Sequence, residues 1–160
     1  MKKIIMAMAA TLFLAGCSYK QKNVAADADQ QEVMADSATV GQAFDSLVVA
    51  ESRAQADPAY AQSQKYTERH NEFNAAIDRL TQDMSDTDRQ LYLLECAVSA
   101  FNRNSQYFAT HTSEMANPVN QHRMALYGQK IREYREALIT TKLDSCQQQR
   151  LDSLNAKIQF

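Results

Sequence analysis

The side chains whose types suit chemistry are the histidines, methionines and cysteines, and few of them are spaced for it. His111, Met115 and His122 fall close together, with Met124 just beyond. Imidazole and thioether groups gathered in this way suit copper, which makes these three the candidates for a metal site. Their spacing repeats no ligand motif, Met124 has a place on an apolar stripe, and no resident cofactor is expected. His70 falls on another apolar stripe, where a partly buried structural histidine is the expectation rather than a ligand. Glu133 and Glu136 stand among Lys130, Arg132 and Arg135, the pattern of a solvated face. No Glu-x-x-His pair is present for a di-iron bundle, and no Cys-x-x-Cys-His for covalent haem. Nucleophile-elbow, zinc-protease and phosphate-loop motifs are also missing, and with three glycines in 160 residues a glycine-rich phosphate cradle is not expected. The expectation is a non-enzyme. The cysteines stand singly at 17, 96 and 146, without the Cys-x-x-Cys of an oxidoreductase.

The elements that position these residues read as helices. Two prolines and three glycines are too few for the frequent turns of a β-rich domain. Alanine, glutamine, arginine, leucine and glutamate favour helix. A first helix is expected from about Ser37 to Ala56, with Val40, Phe44, Leu47 and Val48 on one side. Asp57 before Pro58 is a cap followed by the residue favoured at the first helical position. It opens a second helix to about Asp83, with the seam Tyr66, His70, Phe73, Ile77, Leu80 and Met84. Ser85 and Asp88 resemble a capping box for a third helix to about Thr110. Leu91, Leu94, Val98, Phe101, Ser105 and Phe108 form its seam, and Leu93, Ala97, Ala100 and Tyr107 carry the apolar surface around more than half of it. A helix apolar that far round must be covered on several sides. After a loop from His111 to Asn117, Asn117-Pro118 starts a fourth helix to about Thr141, its seam Met124, Tyr127, Ile131, Tyr134 and Leu138. Gly128 inside it costs up to ~1 kcal/mol relative to alanine, for which close backbone packing is a reason. Asp144 and Gln147 announce a short last helix with Leu151, Leu154 and Ile158, unless residues 118–158 form one bent helix. The fold class is all-α: an up-and-down antiparallel bundle of about four helices plus a short C-terminal helix.

The first residues carry the one specific motif. Lys2 and Lys3 precede an uncharged apolar run from Ile4 to Ala15. That run matches the core of a signal peptide and falls short of the ~20 residues of a membrane-spanning helix. Leu14-Ala15-Gly16-Cys17 resembles the lipobox of bacterial lipoproteins. The resemblance covers roughly a tenth of the chain and implies cleavage before Cys17 and acylation of its thiol. Two or three acyl chains on one residue give stable anchoring where a single chain is marginal. Residues 1–16 are then a lipoprotein signal peptide, 17–36 the lipidated N-terminus with a flexible tether, and 37–160 the helical domain. Ser18 is not the aspartate that retains enteric lipoproteins in the inner membrane, so the resemblance favours the outer membrane, facing the periplasm.

In such an oxidising compartment, Cys96 and Cys146 read first as a disulfide; two separate buried thiols are the alternative. A bridge closing ~50 residues would contribute about 4 kcal/mol before strain. Loss of Lys2 and Lys3 leaves 15 basic against 19 acidic residues, and this mild acidity argues against nucleic acid as a partner. The expected partners are the lipid bilayer, through acylated Cys17, and an unidentified envelope protein. Two functions remain open: a membrane-anchored, non-catalytic interaction or scaffolding module, and a periplasmic carrier of a small ligand or a copper-type metal.

Overall fold

The computed structural model describes the backbone of residues 28–158 and the side chains of residues 41–158. The expected signal peptide, Cys17 and most of the expected tether lie outside the described residues. Within them the chain is all-α: six helices and one 3₁₀ turn, with no strand among the described residues. The helices are α1 (Ala28–Ala56), α2 (Pro58–Ala61), α3 (Gln64–Thr81), α4 (Asp86–Thr110), α5 (Pro118–Ile139) and α6 (Ser145–Lys157), and the 3₁₀ turn spans Thr112–Ala116.

Short polar side chains set the helix starts by accepting hydrogen bonds from first-turn amides that have no partner within the helix. Asp57 accepts from the Ala59 amide at 3.0 Å, Ser85 from Asp88 at 3.1 Å and Asn117 from Val119 at 2.9 Å. At α6 the box is reciprocal: Asp144 accepts from the Cys146 and Gln147 amides, and Gln147 accepts from the Asp144 amide at 3.1 Å. This box separates α5 from α6, so residues 118–158 form two helices.

Two boundaries differ from the sequence reading. The expected second helix is broken into α2 and α3, because Ser63 takes extended backbone and caps Tyr66 at 3.2 Å; Ser63 is an unused cap signal just ahead of the apolar seam, which begins at Tyr66. The first helix begins at Ala28 instead of about Ser37, so helical backbone runs into the segment expected to be tether.

Packing follows the apolar stripes. α1 packs on α3 and α5, and α4 packs on α5 and α6. Phe44, Val48, Leu91, Leu94, Val98, Tyr127, Ile131 and Leu138 are fully buried. The rings of Phe73, Phe44 and Tyr127 form a chain from α3 through α1 to α5, with centroids 5.6 Å and 6.3 Å apart. Phe44 against Phe73 of α3, and Arg53 over the Tyr60 ring of α2, set the α2–α3 arm antiparallel to α1. Gly128 is buried, but a Cβ there would meet only the Arg132 guanidinium, at an ordinary 3.6 Å. Close backbone approach is therefore not the reason for this glycine. Tyr107, expected to extend the apolar surface of α4, is 43 % exposed.

The register of α4 and α6 bears on the cysteines. Gln147 donates to Asp88, Arg150 to Glu95, and Asn102 to the Lys157 carbonyl, so the two helices run in the same direction with α5 returning between them. In this register Cys96 stands level with Leu151, five residues beyond Cys146, which is roughly 7.5 Å of helical rise before the separation between the axes is added. Disulfides require Cα atoms within about 7 Å. Cys96 carries a free thiol, so the expected bridge between Cys96 and Cys146 is not formed. Along the sequence both cysteines qualified; the parallel run of α4 and α6, which sequence does not reveal, sets them apart.

Candidate functional site

The surface feature with the most chemistry is an open groove between α1 and the α2–α3 arm. Two stretches make it up, of ≈ 440 Å³ and ≈ 250 Å³, and both are lined by Ser46 and Arg69. Small side chains on α1 and α3, among them Ala43, Ala50, Ala75 and Ala76, leave room for it, with the buried Phe73 in the wider stretch. Arg53, Lys65, Arg69 and Arg79 line it, together with Asp45 and Glu72. Arg69 pairs with Glu72 at 2.9 Å, and the Arg53 guanidinium lies 5.1 Å from the centre of the Tyr60 ring.

Asp45 belongs to a second arrangement that holds α1 to its neighbours. Its carboxylate accepts from Arg123 of α5 at 3.2 and 3.3 Å and from the hydroxyl of the fully buried Tyr127. It also pairs with Arg103 of α4 at 3.2 Å. Farther along α1, Glu51 pairs with Lys130 at 3.8 Å. Tyr127 buries its ring beside Phe44, and its hydroxyl finds a charged acceptor; a buried phenol without one would carry a desolvation cost. The carboxylate of Asp45 is thus matched from outside the groove by two arginines.

The residues nominated from sequence are arranged differently. His111 caps the end of α4, its ring stacked on Tyr107 at 4.1 Å. Its Nδ1 lies 2.9 Å from both the Tyr107 carbonyl and the Thr110 hydroxyl. The Tyr107 hydroxyl donates to Glu114 at 2.8 Å, and that hydrogen bond pushes its pKa above the ordinary tyrosine value. Met115 is in the 3₁₀ turn, its carbonyl accepting from Gln121 at 2.9 Å, and His122 is half-buried on α5. Among the described residues no three His, Cys, Asp or Glu side chains gather as a metal-holding group. His70 is half-buried beside the Tyr66 ring, with its Nδ1 3.0 Å from the Asn74 amide nitrogen.

Cys96 is half-buried against the core and lines a ≈ 180 Å³ depression with Gly41, Tyr92 and Arg103. Burial, with the Glu95 carboxylate beside it, pushes its thiol up to about 11. A thiol so placed is protonated at neutral pH and a poor nucleophile. Among the described residues no helix is long and apolar enough to cross a membrane.

Sequence reasoning passed over Asp45 and the groove cations. Asp45 had a signal: an acid directly after Phe44, at the edge of an apolar stripe. Arg53, Lys65, Arg69 and Arg79 had none, because cations spread over two helices share a face only once the helices pack. Comparison of the chain with protein-family models, with curated proteins and with solved structures finds no match.

Proposed function

We propose that this chain is a membrane-anchored lipoprotein of the bacterial cell envelope, held by acylated Cys17 in the outer membrane and facing the periplasm. Its helical domain acts as a non-catalytic interaction module. The interaction reading is carried by one observation, the open, charge-lined groove between α1 and α3. Small-molecule sites are mostly enclosed, apolar pockets that cover most of their ligand; an open groove with small residues along its helices and long charged side chains about it suits an extended partner. The anchor reading rests on Leu14-Ala15-Gly16-Cys17 after the basic and apolar leader. Anchoring keeps such a module near envelope components and raises their effective concentration at the groove.

Metabolic labelling with palmitate, followed by membrane fractionation, tests the anchor. The full chain takes up label and sediments with membranes, and the Cys17→Ser variant takes up none. An unlabelled wild-type chain, or a Cys17→Ser variant that is labelled equally, contradicts the reading.

A further inference from the structure

The groove selects among partners by charge. Four of the six charged residues lining it are cations, in a chain whose formal net charge is −2. Of the two anions, Glu72 offsets Arg69 alone, and Asp45 is matched by Arg103 and Arg123 from outside the groove. Counted over the side chains that line it, the groove is basic on an acidic protein, an arrangement that attracts anionic groups to one surface and repels them elsewhere. Its dimensions narrow the class further. From Gln42 to Arg53 the α1 wall rises roughly 16 Å, the length of about five extended residues. On α3, Lys65 and Arg69 are one helical turn apart, and Arg79 is roughly 15 Å beyond Arg69, so the cations are strung along the groove and do not converge on one point. Ala43, Ala75, Ala76 and Phe73 supply small apolar contacts between them. A single phosphate would engage one end; a chain bearing several carboxylates matches the whole length.

We propose that the α1–α3 groove binds an acidic, extended segment of a partner protein, with carboxylates at Lys65 and Arg69 at one end and at Arg79 at the other. The proposal rests on the interaction-module reading and names the chemistry of the partner. The probe is a fluorescein-labelled ten-residue peptide of alternating glutamate and alanine, with a lysine–alanine counterpart, titrated by fluorescence anisotropy against the full chain in zwitterionic detergent. The glutamate peptide binds and the lysine peptide does not. The double variant Lys65→Glu/Arg79→Glu weakens binding at least tenfold. Arg132→Glu/Lys142→Glu, which changes net charge equally at exposed positions away from the groove, stays within twofold of wild type. Circular dichroism midpoints of both variants establish that the fold is retained.

Absence of glutamate-peptide binding, equal binding of both peptides, or equal loss in the two double variants overturns the proposal. So does binding to phosphatidylglycerol vesicles without binding to the peptide, which would make the surface a membrane contact. Palmitate labelling is read independently, so failure of the groove proposal with labelling intact is distinguishable from failure of the anchor.

Discussion

Replacing Asp45 by alanine tests how α1 is held to the rest of the fold. The carboxylate serves Arg123, Arg103 and the Tyr127 hydroxyl. Its loss leaves the phenolic proton of a residue with 0 % exposure without an acceptor, and Arg123 with only the tyrosine oxygen at 3.3 Å. A hydrogen bond to a charged group contributes about 1.5–3 kcal/mol. Breaking a fully buried ion pair costs about 3–5 kcal/mol, but the Arg123 and Asp45 side chains are 20 % and 25 % exposed, so solvent screens part of that. The expected loss for Asp45→Ala is therefore about 2–3 kcal/mol, and about 1–2 kcal/mol for Tyr127→Phe, which keeps the ring packed against Phe44. For a domain of this size each kcal/mol moves the midpoint by roughly 4 °C, so Asp45→Ala melts about 8–12 °C lower. Urea unfolding followed at 222 nm gives the free energies, with the dependence on denaturant unchanged. The double variant should lose about 1–2 kcal/mol less than the sum of the singles, because both remove one contact. A loss under about 0.5 kcal/mol for Asp45→Ala, or strict additivity, would refute the argument that this carboxylate holds α1.

Three further outcomes follow from particular side chains. Gly128→Ala should stabilise the fold by up to ~1 kcal/mol in urea unfolding, since the helix gains an alanine and the new Cβ meets only an arginine tip; destabilisation would show that the site is tighter than its geometry. Burial is the main cause that pushes Cys96 up to about 11 and Tyr134 up to about 12. Both favour the protonated folded form, so their contribution is complete below the pH at which the unfolded thiol and phenol titrate, ~8.5 and ~10. It is lost as pH rises through 11 and 12, on the order of 3 kcal/mol each. Stability measured from pH 8 to 12 should therefore decline, and more shallowly in Cys96→Ser; an unchanged slope in that variant would remove the thiol from the account. In the same protein, iodoacetamide should label Cys96 at pH 8 far more slowly than it labels a small free thiol.

What could be read from the sequence was what is local. Asp57, Ser85, Asn117 and Asp144 cap within three residues of themselves, so their helices start where spacing placed them. Stripes such as Leu91, Leu94 and Val98 identified their own buried faces. Ser63 was missed because Asp57-Pro58, only six residues earlier, already supplied a helix start, although the apolar seam begins only at Tyr66. The cysteine pairing failed for a different reason: distance in sequence is silent on whether α6 runs with α4 or against it, and the register that decides it comes from Asp88, Glu95 and Asn102 finding Gln147, Arg150 and Lys157. The groove was equally invisible, since Arg53 and Arg79 face one opening only after α1 and α3 pack.

The central claim is that the anchored domain engages a partner along the α1–α3 groove, and photo-crosslinking in the native host tests it most directly. A benzophenone side chain is placed at Ala75, exposed beside the groove, or at Ala125, exposed on α5. The account predicts a discrete crosslinked product from Ala75, absent from Ala125 and abolished by Lys65→Glu/Arg79→Glu. No product at Ala75, or the same product from both positions, would contradict it.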